Sequence, residues 1–182
     1  MNTAVKTAKN IYRRFVEFEE RAAAIYLHFA SRFKQKSPLS LFWLNMAVEE
    51  KQHAGLLQFC LAEGLFAAEL PDSATTQRLL GFITRLEKQA HDPNLTIEEA
   101  FVLAIQLESS EINSIYCHLT TAIHSSMYLL RRKIAILLPN HVDELLTSAR
   151  KFGVGNEAAK ELDRLSKRCS AQWKPAKSAS KA

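Results

Sequence analysis

An all-α fold is predicted by three features of this sequence. Glycine and proline are scarce, five of each in 182 residues. Along the stretches this leaves open, apolar residues recur every three or four positions, the period of a helix with one buried face. No run of alternating β-branched residues marks a strand. The length and a 47% apolar content suit one domain with a sizeable core. The helical body is expected over 1–169, followed by a basic, disordered tail over 170–182.

The first helix is expected from Thr3 to Phe33, where Tyr12, Phe15, Ala22, Tyr26, Phe29 and Phe33 form an apolar stripe. Glu19 falls on that stripe, four residues after Phe15 and three before Ala22, whereas Glu17 and Glu20 lie off it. Ser37-Pro38 reads as a helix start, with Ser37 as N-cap and proline at the first helical position. This second helix is expected to stop near Gly64. Its Met46, Glu50, His53 and Leu57 are spaced by four, three and four residues, so all four point the same way.

Leu65 to Asp92 connects the halves, broken at Pro71-Asp72-Ser73. A shorter helix over Ala74–Ala90 is expected through Leu79, Leu80, Ile83 and Leu86. So long a connection can cross from one end of a bundle to the other. Thr96-x-x-Glu99 is a capping box for a third main helix, on which Phe101, Ala104, Ile105, Glu108, Glu111, Ile115 and Leu119 share the inner face. Ser125-Ser126 is the expected turn before a fourth helix, Met127 to Phe152, that Pro139 kinks and Gly153-Val154-Gly155 ends. Either His141 or Glu144 can face the core there. Asn156 caps a last short helix to Cys169.

Three helices thus send carboxylates inward. A lone buried carboxylate is costly unless paired, protonated or metal-bound. Glu108 and Glu111, one turn apart, would repel unless cations lie between them. No Lys or Arg lies on these stripes. Two divalent ions would balance Glu19, Glu50, Glu108 and Glu111, and imidazoles would complete the coordination without adding charge. Mixed oxygen and imidazole donors suit iron or manganese and do not exclude zinc.

Other chemistries find less support. Cys60, Cys117 and Cys169 are odd in number and far apart, with no Cys-x-x-Cys for a zinc ribbon or rubredoxin-type iron. That pattern fits a reducing compartment. No signal-peptide or membrane-spanning run appears, so a cytoplasmic protein is expected. The +5 net charge gathers in Lys167, Arg168, Lys174, Lys177 and Lys181, which read as a solvated tail. No aromatic-and-basic motif points to nucleic acid. Ser110 and Cys117 have no triad-like company, and His28, His91, His118 and His124 have no matching partner spacing.

Glu19-x6-Tyr26, Glu50-x-x-His53-Ala54 and Glu108-x-x-Glu111-x4-Tyr116 together resemble the ferritin-like superfamily, and within it the di-iron domain of rubrerythrins. The resemblance covers roughly Ile11 to Phe152. It implies a ferritin-like four-helix bundle holding two non-haem irons; the long helical crossover expected here between the second and third helices is unlike the family's usual short path. It also implies reduction of peroxide, or oxidation of Fe(II) by O2 or peroxide. Carried over, Glu19, Glu50, Glu108 and Glu111 would be ligands, His53 would ligate one iron, and Tyr26 and Tyr116 would hydrogen-bond the ligands.

The fourth helix departs from the family. Leu138 stands where a glutamate belongs if His141 is the matching histidine; shifted by one turn, His141 and Glu144 fill the two positions in reversed order. The rubredoxin domain has no counterpart, so electrons are expected from a separate donor. A homodimer is also expected. The alternative reading is a non-enzymatic bundle with a degenerate or single-metal site, acting in binding or assembly.

Overall fold

The computed structural model describes residues 3–121, 144–155, 160 and 164, and omits the side chains of Glu111 and Thr121. The described part is helical, with α1 (Thr3–Arg32), α2 (Ser37–Glu63), α3 (Ser73–Ala90), α4 (Ile97–Glu108) and α5 (Glu111–Thr121), and a further helical stretch at 144–151. Among the described residues there is no strand, and no helix is long and apolar enough to cross a membrane.

α1 and α2 form an antiparallel hairpin around a four-residue turn at 33–36, and theirs is the most extensive helix pairing among the described residues. The hairpin explains how distant glutamates meet. Tyr26 stacks on Trp43 across it, with centroids 5.8 Å apart and rings inclined by 12°. Seven residues back along α1 is Glu19, and seven residues on along α2 is Glu50. Both steps are two helical turns, so the glutamates face one another as the aromatic rings do. All the expected inner-face residues of α1 are buried except Phe33, which is half-buried, and all four on α2 are buried.

The aromatic end of the hairpin is closed by Phe29, Phe42 and Phe101 around Trp43, with centroids 4.7 to 5.1 Å from it. α3 packs on α1 and α4, and α5 packs on α2 and α1. Arg21 ties α1 to α3 by donating to both oxygens of Glu87 at 2.8 and 2.5 Å. At the opposite end, Tyr12 Oη donates to the Leu119 carbonyl and accepts from the Ala67 amide, both at 3.0 Å, joining three segments in the core.

Several boundaries follow the local chemistry foreseen. Gly64 ends α2 at φ 68°, the left-handed conformation that suits glycine. Thr96 and Glu99 complete their capping box, and Gly153 at φ 72° follows the helical stretch at 144–151. Three details differ. Lys36, not Ser37, is the N-cap of α2; its carbonyl accepts from Leu39 and Ser40, which puts Pro38 where a missing amide hydrogen does no harm. α3 starts at Ser73, one residue earlier than expected, because the Asp72 side chain accepts from the Thr75 amide at 2.7 Å. The third main helix is not continuous, because it breaks at Ser109-Ser110 into α4 and α5. The turn at Ser125-Ser126, Pro139 and the tail lie outside the described residues; of the expected fourth helix the described part is helical at 144–151, and of the short helix from Asn156 only 160 and 164 are described, both helical.

One contact on the α1–α3 side carries a pH prediction. The His28 and His91 rings lie 4.2 Å apart. Partial burial, then the charges of His91 and Arg32, push His28 below its ordinary value. Around the pair, Arg32 is held by the Leu95 and Pro93 carbonyls, and His91 Nδ1 lies 2.8 Å from the Glu87 carbonyl. The unfolded chain therefore takes up a proton at His28 before the folded chain does, and stability is lost as pH falls below about 6.5. The melting temperature is expected to drop as pH falls below about 6.5, and His28→Gln to flatten that slope. An unchanged slope in the variant would refute the assignment.

Candidate metal centre

Glu19, Glu50 and His53 meet in the core with exposures of 1, 1 and 5%. Each offers a ligand atom, and these atoms lie within 4.8 Å of one another. His53 sits one turn beyond Glu50, and its Nδ1 lies 2.9 Å from Glu50 Oε2 and 3.6 Å from Glu19 Oε2. The shorter distance is a hydrogen bond, while the longer is an ion-pair contact beyond hydrogen-bond range. A carboxylate only accepts, so Nδ1 carries the proton here. Burial opposes charge on the imidazole, but the two carboxylates outweigh it and hold His53 well above its ordinary value.

Among the described residues, the buried side-chain atoms without a hydrogen-bond partner are Trp43 Nε1 and both oxygens of Glu19. Buried polar atoms are almost always satisfied. Oxygen donors from two helices, with an imidazole between them, fit a divalent cation of the first transition row. The fit therefore rests on an unsatisfied carboxyl group as well as on the donor set.

Glu108 lies at the end of α4, 3% exposed. Tyr26 donates to its Oε1 at 2.5 Å, and Asn113 Nδ2 donates to its Oε2 at 2.6 Å. Burial, then the charges of Glu108 and Glu50, push the Tyr26 hydroxyl well up, so it remains a donor. Tyr116 packs its ring on His53, centroids 4.4 Å apart, and burial followed by Glu19 raises its hydroxyl likewise. Cys60 is a buried thiol pushed up to about 11 by its burial, which makes it a core residue rather than a nucleophile.

The structure thus brings Glu19, Glu50 and His53 together and sets Glu108 on Tyr26, with Tyr116 against His53. Glu111 is the first residue of α5, across the helix break from Glu108, so the two are not successive turns of one helix. Its side chain and His141 lie outside the described residues. Glu144 is exposed and lines an open surface groove of about 450 Å³ with Asn45, Lys151 and Phe152. Sequence reasoning overlooked Asn113. The signal was present in Ser109-Ser110-Glu111: serine followed by an acidic residue is a favoured helix start, and Ser110 Oγ accepts from the Ile112 amide at 3.2 Å.

Comparison of the chain with protein-family profiles, curated proteins and solved structures finds no match. What defines the chain is therefore its own geometry, an all-helical fold with a buried Glu-Glu-His group able to hold a metal ion.

Proposed function

We propose that this chain is a non-haem metal oxidoreductase of the rubrerythrin type, reducing peroxide or oxidising Fe(II) at the Glu19–Glu50–His53 centre. The observation that carries the reading is the buried Glu19 carboxyl group, with neither oxygen hydrogen-bonded among the described residues. Its fold would be a four-helix bundle in which α1, α2, the α4–α5 pair and the helix ending near Phe152 are the four members, with α3 as the crossover. Glu19, Glu50 and His53 would bind one ion, and Glu108 would reach a second. Bound iron would supply one-electron redox chemistry and an open position for O2 or peroxide. The chain's part is to bind and orient. The His53 ring is held against Tyr116, Glu108 is set by Tyr26, and Phe29, Phe42, Trp43 and Phe101 wall the centre from water at one end. Electrons would come from an external donor.

A second reading is a single-ion bundle acting in binding rather than catalysis. The break at Ser109-Ser110 favours it, because Glu108 and Glu111 do not present a paired ligand set on one helix. Elemental analysis after anaerobic Fe(II) loading and exposure to peroxide separates the two. About two irons per chain with peroxide turnover is expected, and both are expected to vanish in Glu50→Ala and Glu108→Ala. Turnover unchanged in those variants would sink the oxidoreductase reading, and one inert ion per chain would favour the second.

A further inference from the structure

We infer that Asn113 is the positioning residue of the metal centre, fixing the Glu108 carboxylate through a device built into the break between α4 and α5. The inference rests on the metal-centre reading above and adds a residue to it.

In an unbroken helix the Ile112 amide would bond the carbonyl four residues back, that of Glu108. Here that amide bonds Ser110 Oγ at 3.2 Å, and the backbone turns at Ser109-Ser110. Asn113 follows, and its Nδ2 reaches the Glu108 carbonyl at 3.1 Å and Glu108 Oε2 at 2.6 Å. One amide group therefore holds both the main chain and the carboxylate of the same residue. From the other side, Tyr26 holds Oε1. The carboxylate is gripped at both oxygens by neutral donors on two different helices. Hydrogen bonds to an ionised acceptor are about twice as strong as neutral ones, so the grip is firm.

The position of Asn113 is specific. Being half-buried, it has solvent on one side, and a residue serving only to end a helix could satisfy the Glu108 carbonyl alone. The shorter of its two bonds goes instead to the carboxylate. Tyr26 and Asn113, both neutral, orient the carboxylate without cancelling its charge, as a residue meant to meet a metal ion requires. Loss of such an outer partner ordinarily lowers metal affinity by about ten- to a hundredfold.

The test is a Co(II) titration of the full chain, followed by the visible absorption of the bound ion, in wild type, Asn113→Leu, Glu108→Gln and the double variant. Leucine keeps the volume and removes the donor. Asn113→Leu is expected to weaken Co(II) binding by about ten- to a hundredfold. In the Glu108→Gln background the same change is expected to alter affinity by less than about twofold, because Asn113 acts through Glu108. Asn113→Gln, which keeps the amide donor, is expected to recover most of the loss. Should the leucine substitution prevent folding, Asn113→Ser makes the same test with a side chain too short to reach. Equal weakening in both backgrounds, or a lower melting temperature with unchanged affinity, would overturn the inference and leave Asn113 as a helix-break residue. Wild-type protein that binds no Co(II) would overturn the metal-centre reading itself, a result distinct from either.

Discussion

Glu19→Leu is expected to raise the melting temperature of the metal-free protein while abolishing its metal loading. Glu19 is 1% exposed, and among the described residues neither of its oxygens finds a donor at hydrogen-bond distance. Leaving a buried polar group unsatisfied costs about 1–3 kcal/mol, and more where it is charged. Its attraction to His53 at 3.6 Å returns part of that. His53 keeps a closer partner in Glu50 at 2.9 Å, so removing Glu19 strands no imidazole. Leucine suits the site, since Phe15 and Ala22 flank it on the same face of α1. The net gain, about 1–2 kcal/mol, corresponds to a rise of roughly 2–8 °C for a chain of this size. Glu50→Leu has the opposite expectation. It removes the hydrogen-bonded partner of a buried imidazole, and losses of roughly 3 kcal/mol or more follow from breaking such a pair. Calorimetry of both metal-free variants, with added Mn(II) as a check of loading, reads the contrast. A lower melting temperature for Glu19→Leu would mean that Glu19 is a structural partner of His53, and the unsatisfied carboxyl would no longer argue for a metal. A stabilising loss of function is the usual mark of a residue kept for its chemistry.

The inward carboxylates were legible because a helix repeats its geometry. Once Tyr12, Phe15, Ala22 and Tyr26 defined a face, Glu19 had to lie on it, and the same logic placed Glu50 and His53. That all three would meet at one point was not legible from periodicity. It depends on the length of the 33–36 turn, which sets the register of α1 against α2. The period puts Glu108 on the inner face, where it is buried, but its pairing with Glu111 requires a continuous helix. Stripe counting cannot see a break that preserves the apolar period, and Ile112, Tyr116 and Leu119 are buried on the far side of it as well. The break came from side chains competing with the backbone for hydrogen bonds, Ser110 for the Ile112 amide and Asn113 for the Glu108 carbonyl. Asn113 escaped notice for the same reason, being polar, half-buried and off the apolar pattern.

Metal loading is expected to release a proton from His53 and to strengthen with pH. In the metal-free protein the Nδ1 proton is donated to Glu50 Oε2, with Glu19 Oε2 3.6 Å from Nδ1, where a cation would bind the same three residues. Proton and metal ion therefore exclude each other. Burial works against the imidazolium, yet the carboxylates hold it well above its ordinary value of 6.5. A group raised in the folded state contributes stability that is fully present below its unfolded value and is lost as pH rises through the folded one. The metal-free protein should thus lose melting temperature from about pH 6.5 upward. The Mn(II)-loaded protein should gain it over the same range, because binding needs the neutral ring. Apparent Mn(II) affinity should rise about tenfold per pH unit until the folded value is passed, one proton being displaced per ion. Calorimetry with and without Mn(II), and titrations at stepped pH, would show the two slopes diverging. Affinity independent of pH above about 6.5 would exclude Nδ1 of His53 as a ligand. The opposite slopes therefore separate a centre that uses the histidine from one in which the carboxyl groups alone attract a cation.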